Sequence, residues 1–340
     1  MKFVKKLVVV CIAFVLIFCL VIYYPNLTFS DVQKNEKILV VGGMATGDYW
    51  GTVKMGAKAA AEECNVTFNY LAPKDESDIQ GQINLIEDAL NKGISALVVA
   101  PNDYEKLSKV IEKAYSKRIP VIVMNSRVNT NKFDYYISAD NIDGGRKAGD
   151  MLVSILGTRF KVGIMSSIEG ADSLMEREKG LLDLFSQYKE VKVVAKGYCL
   201  SNSAATKELT KKMLSEHKDL DAIVALNSNA AEGVAETLSE MNLEGSIKVI
   251  AFDSTLREID YLEKGIISAI IIHDPFTMGY LSVMYAINDI NKMELSNVKY
   301  TIDILNKKDN PNEIKIKSKI IDGTNMYFQE NEKFLFPVVK

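Results

Sequence analysis

Six short clusters in this 340-residue chain hold the side chains with the most chemical capacity: Thr46-Gly47-Asp48-Tyr49-Trp50, Pro101-Asn102-Asp103, Asn125-Ser126-Arg127, Asn227-Ser228-Asn229, Asp253-Ser254-Thr255 and His273-Asp274-Pro275. They offer carboxylates and amides for hydrogen bonding, one arginine, one histidine, and an aromatic pair containing the only tryptophan. Any one cluster would pass as a helix cap, because Asp and Asn commonly precede helices. Capping does not call for Tyr-Trp, Arg or His beside the cap, however, and the set reads as a recognition surface. Catalysis fails on inventory. There is no G-x-S-x-G elbow and no paired-cysteine or H-E-x-x-H spacing, and His217 and His273 are the only histidines. Gly42-Gly43 follow an apolar run, but no G-x-G-x-x-G completes a dinucleotide loop. The reading is therefore a non-enzyme with no catalytic residue, metal ligand or cofactor.

The clusters fall at the ends of short apolar runs. Ile38 to Val41, Val66 to Leu71, Ala96 to Val99, Val121 to Met124 and Tyr135 to Ser138 read as strands, separated by helices over Trp50 to Glu63, Ile79 to Asn91 and Tyr104 to Ser116. The alternation then repeats. Helices are expected at Gly144 to Leu156, Leu174 to Tyr188, Ala204 to Glu216, Ala230 to Met241 and Met278 to Ile290. The strands between them are Lys161 to Met165, Val191 to Ala195, Ala222 to Ala225, Lys248 to Phe252 and Ile267 to Ile272. Such alternation means parallel strands joined by right-handed crossovers, so the fold class is α/β with two doubly wound parallel-sheet lobes. Ligands in such sheets sit beyond the carboxyl ends of the strands, where all six clusters lie.

Ile119-Pro120-Val121-Ile122, Ile137-Ser138-Ala139-Asp140-Asn141 with Gly144 and Gly145, Glu176-Arg177-Glu178-Lys179-Gly180, Val249-Ile250-Ala251-Phe252-Asp253, and His273-Asp274-Pro275 with Gly279 follow one another in order. In this order and spacing the chain from about Ile38 onward resembles the ribose-type members of the type I periplasmic binding proteins, whose fold also serves lactose-repressor-like effector domains. The resemblance implies two lobes joined by a three-strand hinge, with crossings near Ala139-Asp140, His273-Asp274 and Ile302 to Leu305. The first lobe would then take 37–139 plus 274–303, and the second 140–273 plus 304–340. It implies a sugar or sugar-like polyol held between closing lobes, with Tyr49 and Trp50 stacking, Asp48 beside them, and Asn125, Ser126, Arg127, Asn227 and Asp253 as polar contacts. His273 stands where the family usually has glutamine. If it touches ligand, affinity should shift as pH passes about 6–7. Two departures stand out: the family's sugar-gripping arginine falls at Met175, with Arg177 matching a structural partner, and the second-lobe aromatic near Leu200 to Asn202 is missing unless Tyr198 replaces it.

The N-terminus adds a location. Lys2, Lys5 and Lys6 precede Leu7 to Tyr24, a stretch without charge, and a polar linker follows over 25–36. About 20 apolar residues cross a bilayer as a helix, and basic residues stay on the cytoplasmic side. Residues 1–24 thus read as a hydrophobic helix that anchors the rest on the extracytoplasmic face, with cleavage near Ser30 and release as the other reading. Neither Cys11 nor Cys19 has the small preceding residue of a lipobox. A DNA-binding regulator would need a helix-turn-helix unit where this apolar stretch stands, and a net charge of −3 announces no nucleic-acid surface. The partners expected are the membrane permease of an ABC importer or, alternatively, a sensor histidine kinase. Cys64 and Cys199 fall in different lobes, where a bridge would clamp the hinge, so both are expected as buried free thiols.

Overall fold

In the central strands, side chains alternate between two apolar surfaces, and that alternation builds the two sheets described here. The computed structural model describes residues 36–167, 170–200, 202–291, 305–307 and 310–335. The apolar stretch and most of the linker lie outside them, and among the described residues no helix is long and apolar enough to cross a membrane. In β1 (Lys37–Val41), Ile38 and Val40 enter one core while Leu39 and Val41 enter another on the opposite face. Strands buried on both faces are what a parallel sheet covered by helices requires.

The first sheet runs β11 (Leu305–Lys307), β12 (Glu313–Ile316), β5 (Tyr135–Ala139), β4 (Val121–Met124), β3 (Ala96–Val99), β1 and β2 (Thr67–Leu71). Its helices are α1 (Asp48–Glu63), α2 (Ile79–Lys92), α3 (Ser108–Ser116) and α9 (Pro275–Asn291). The second sheet runs β13 (Lys319–Asp322), β10 (Ala269–Ile272), β9 (Lys248–Phe252), β8 (Ala222–Ala225), β6 (Arg159–Ser166) and β7 (Glu190–Tyr198). Around it lie α4 (Asn141–Leu156), α5 (Asp172–Phe185), α6 (Ser203–Glu216), α7 (Ser228–Glu240), α8 (Leu256–Glu263) and α10 (Gln329–Leu335). The central order β5-β4-β3-β1-β2 is repeated as β10-β9-β8-β6-β7. Among the described residues, Cys64 and Cys199 are free and buried.

The chain leaves the first sheet at Asp140, returns at His273-Asp274, and leaves again at Lys317-Ser318. That last crossing corrects the expectation that it lies near Ile302 to Leu305 and that 304–340 belongs wholly to the second lobe. Glu313–Ile316 instead pairs in parallel with Tyr136–Ala139, and Leu305–Lys307 pairs antiparallel beside it. The alternating segment Glu313-Ile314-Lys315-Ile316 buries both isoleucines in the first core. Helix α8 was not legible as a periodic run because it has eight residues. Its signature was a capping box, in which Thr255 accepts from the Glu258 N–H and Glu258 accepts from the Thr255 N–H.

Paired glycines let helices cross closely in both lobes. A Cβ on Gly56 would lie 1.9 Å from the Phe276 carbonyl oxygen, and one on Gly279 would lie 2.0 Å from that of Val53, where α1 meets α9. In the second lobe, Gly145 faces the Arg177 carbonyl and Gly180 faces that of Ile142, each with 2.0 Å to an added Cβ. The second crossing matters for function, because it draws the segment carrying Arg177 against the start of α4 and under the end of the sheet.

Candidate ligand-binding cleft

The carboxyl ends of both sheets face each other across a cavity of about 320 Å³. On the first-lobe side, buried Gln82 donates to the Gly42 and Ala100 carbonyls and accepts from the Asn102 N–H at 3.0 Å. Asn102 in turn donates to the Gly43 carbonyl at 2.7 Å, tying the ends of β1 and β3 together. Trp50 lies over Gly43, where a Cβ would sit 2.4 Å from its ring, so this indole position depends on glycine. Its Nε1 donates to Glu76 at 3.2 Å, and Tyr49 meets it edge-on at 5.1 Å between ring centres.

Trp50 thus both packs in the core, at 5% exposure, and lines the cavity. Asp48 is exposed at the rim and lines the cavity as well. It is not the cap of α1, which is Gly47 at φ 98°, so capping does not explain Asp48. The Tyr49 hydroxyl donates to Asn125 Oδ1 at 2.9 Å. Burial, with the charge of Asp253 adding to it, drives the Tyr49 phenol far above its ordinary range and keeps it neutral. Asn125, directly after β4, has φ 66°, a left-handed conformation that Asn tolerates better than most residues. Ser126 lines the cavity and shares a 3.1 Å hydrogen bond with Ser173 of the opposite lobe.

The second-lobe wall is built on charge. Arg177, 3% exposed, donates from Nε to Asn141 at 3.0 Å, from Nη1 to the Leu226 carbonyl at 2.6 Å and from Nη2 to Asp253 Oδ1 at 3.2 Å. Its guanidinium lies 4.7 Å from the centre of the Phe252 ring. Asp253, at φ 79° directly after β9, uses its other oxygen to accept from the Ser228 N–H at 3.1 Å. Asn227 caps α7 through the Ala230 N–H and donates to Ser167 at 2.8 Å. Further along the wall, Glu232 accepts from Thr255 at 2.6 Å and from Arg257 at 3.1 Å. Behind the wall sits Glu258, wholly buried. Burial first, and the nearby Asp253 charge second, push its carboxyl well above the carboxylate range.

Of the expected site residues, Asp48, Tyr49, Trp50, Asn125, Ser126, Asn227 and Asp253 line one cavity. Arg127 and His273 do not line it; His273 instead lines a smaller adjoining cavity with Asp48, Tyr49 and Asp253. Arg127 points away from the cavity to pair with Glu313 and lie over Tyr136, 4.3 Å from that ring's centre. His273 is buried behind the wall, where Nε2 faces Arg177 Nη2 at 3.0 Å. A guanidinium only donates, so Nε2 is the acceptor and the ring is neutral. Burial, then the Arg177 charge, pushes His273 down to about 3, and its 3.6 Å approach to Asp253 is no ion pair. Tyr198 does not replace the missing aromatic: with Met175 it lines a separate groove beside Lys196 and Leu182.

Glu76, Asn102, Ser167, Ser173, Arg177 and Glu232 also line the cavity. Glu76 follows β2 and Asn102 follows β3, so the rule that ligands gather at strand ends was sufficient to find both. Glu232 and Ser173 sit inside helices, where no spacing signal distinguishes them from solvated polar positions.

Two α/β lobes, three crossings among the described residues and a polar cavity at facing strand ends define a two-lobed binding protein. The periplasmic binding protein domain matches residues 38–292, and this chain belongs to that family. Among similar proteins, the D-ribose/D-allose-binding protein of Pseudomonas aeruginosa is 26% identical over 235 residues, covering 66% of this chain and 73% of the relative. The ribose import binding protein RbsB of Haemophilus influenzae is 25% identical over 275 residues, covering 81% and 92%. A carbohydrate transporter solute binding protein from Agrobacterium radiobacter, in complex with D-arabinose, superposes with a TM-score of 0.81 at 25% identity, covering 89% of this chain and 99% of that one.

Proposed function

We propose that this chain captures a monosaccharide-sized sugar or polyol between its lobes on the extracytoplasmic face of the membrane and presents it to an ABC importer. The observation that carries this is the pairing of walls across one cavity: an aromatic pair with amides and the carboxylates of Asp48 and Glu76 on one side, and oriented carboxylate and amide groups on the other. A sugar ring has an apolar C–H face and a hydroxyl edge, which such walls complement. A cavity of about 320 Å³ stands at the small end of ligand sites, which suits one ring. The sugar names of the relatives support the same ligand class. Asp48, Tyr49, Trp50, Asn125 and Ser126 would contact ligand from the first lobe, and Asn227 and Asp253 from the second.

A thermal-shift screen of the detergent-solubilised full chain against neutral monosaccharides and polyols tests this. A ligand at a hundred times its Kd stabilises the native state by about 2.7 kcal/mol. A clear shift with at least one sugar is expected, and no shift across the set would sink the sugar reading. The apolar stretch Leu7 to Tyr24 favours a second use of the same closure, a sensor subunit retained in the membrane and read by a histidine kinase. Co-purification of the tagged full chain with permease subunits decides for import, and with a kinase for sensing.

A further inference from the structure

Arg127 fails as a cavity residue, yet its surroundings give it another task. Its backbone N–H donates across the lobes to Asp172 Oδ2 at 3.2 Å, and its Nε lies 3.9 Å from Glu176 Oε1, also in the second lobe. Within its own lobe it pairs with Glu313. The nearly buried Lys315, on β12, places Nζ 3.5 Å from both Glu176 Oε1 and Glu313 Oε1. Glu176 of the second lobe is therefore held between two cations of the first. None of these residues lines the cavity, although the neighbouring Ser126 and Ser173 do. We propose that Arg127 and Lys315 are positioning residues that set ligand affinity by latching the lobes shut through Glu176 and Asp172, without touching ligand. This rests on the reading of ligand capture between the lobes.

The two carboxylates that share these cations shift in opposite directions. Burial alone would raise Glu313, but the Arg127 hydrogen bond and charge outweigh it and hold the group below its ordinary range. Burial raises Glu176 and prevails over Lys315, so that group stays above its ordinary range. Within the first lobe the pair is favourable and preorganised. Between the lobes, the burial of Glu176 outweighs its attraction to Lys315, as happens for partly buried ion pairs. A latch of that kind holds and still releases, as reversible binding requires. Apparent affinity scales with the population of the closed form, so residues remote from the ligand change it.

The test needs no ligand. Nitroxide labels on the exposed rim positions Lys74→Cys and Leu256→Cys, in the full chain with Cys11→Ser and Cys19→Ser, report the distance across the cleft by pulsed electron resonance. Arg127→Gln and Glu176→Gln are each expected to lower the short-distance population by about threefold or more, with Arg127→Lys restoring part of it. The double variant is expected to match the singles instead of adding to them. Glu176→Gln leaves the Arg127–Glu313 pair intact, so it decides the matter even if Arg127→Gln folds poorly. An unchanged distance distribution in Glu176→Gln overturns the latch, whatever happens to melting temperature. A blank sugar screen beside a clear distance response would sink the sugar reading alone.

Discussion

Asn125 and Asp253 occupy the same place in two copies of one plan. Each follows directly on a corresponding strand, β4 in the order β5-β4-β3-β1-β2 and β9 in the order β10-β9-β8-β6-β7. Each turns into a left-handed conformation, at φ 66° and 79°, and each faces the cavity. Their electrostatics differ. Asn125 accepts one neutral phenol, whereas Asp253 anchors a buried guanidinium that also holds Asn141, the Leu226 carbonyl and His273. The backbone strain is shared, and strain of this kind costs of order 1–3 kcal/mol wherever it persists. What differs is the means of holding it: aromatic packing and a neutral hydrogen bond on the first wall, a charge network on the second.

Breaking the charge network should have the largest consequence. Arg177→Ala leaves Asp253 buried without its cation, and removing one partner of a buried pair costs about 3–5 kcal/mol. A fall of that size in the unfolding free energy, with an unchanged denaturant slope, is the expected result. A loss below about 1 kcal/mol would mean that the two walls are held by similar forces after all.

The next effect belongs to the same wall and depends on pH. Folding pushes His273 down to about 3, while an unfolded histidine titrates near 6.5. The unfolded chain therefore takes the proton first. The contribution of a neutral His273 is complete above about 6.5, declines as pH falls, and is exhausted near 3, a change on the order of a few kcal/mol. Comparison with His273→Gln isolates it, since the glutamine oxygen can still accept from Arg177. The stability difference between wild type and variant should shift steadily against wild type from pH 7 to pH 4. A difference independent of pH would show that His273 is not held neutral. Ligand affinity should have no inflection between pH 6 and 7, contrary to the expectation for a histidine in contact with ligand.

Most of the fold was legible because parallel strands buried on both faces leave runs such as Ala96-Leu97-Val98-Val99, and because the cleft lies wherever such runs end. Asn125, Asn227 and Asp253 were found by that rule. What the rule cannot supply is side-chain direction. Arg127 and Ser126 are adjacent in sequence, but only Ser126 lines the cavity, since Arg127 is drawn outward by Glu313, a residue 186 positions further on. His273 stands at a strand end as expected, but Tyr49 and Arg177 cover it from opposite lobes. The third crossing lies later than the sequence pattern suggests for a related reason: one four-residue strand, Glu313–Ile316, has too short a pattern to reveal which sheet it joins.

On the first wall the changes should be smaller. Tyr49→Phe removes the hydroxyl that donates to Asn125 and should cost about 1 kcal/mol, the usual contribution of one neutral hydrogen bond. A cost near that of Arg177→Ala would place Tyr49 in the charge network through Asp253 and undo the contrast between the walls.

The smallest effect is the most informative about strain. Asn125→Gly removes the same hydrogen bond, yet it also frees a residue from φ 66°, where glycine has no steric penalty. The loss and the relief oppose each other, while the added freedom of the unfolded chain favours unfolding. With the acceptor gone the Tyr49 hydroxyl keeps only the Met278 sulfur at 3.7 Å, so the relief offsets part of a cost of about 1–3 kcal/mol and the net loss should stay at about 1 kcal/mol. Asp253→Gly relieves the equivalent strain at φ 79° but leaves Arg177 without its carboxylate, so it should destabilise far more. Because both variants relieve a left-handed residue, the gap between the two glycine variants reports the electrostatic difference between the walls. Equal effects in denaturant unfolding would mean that backbone strain, and not charge, governs both strand ends.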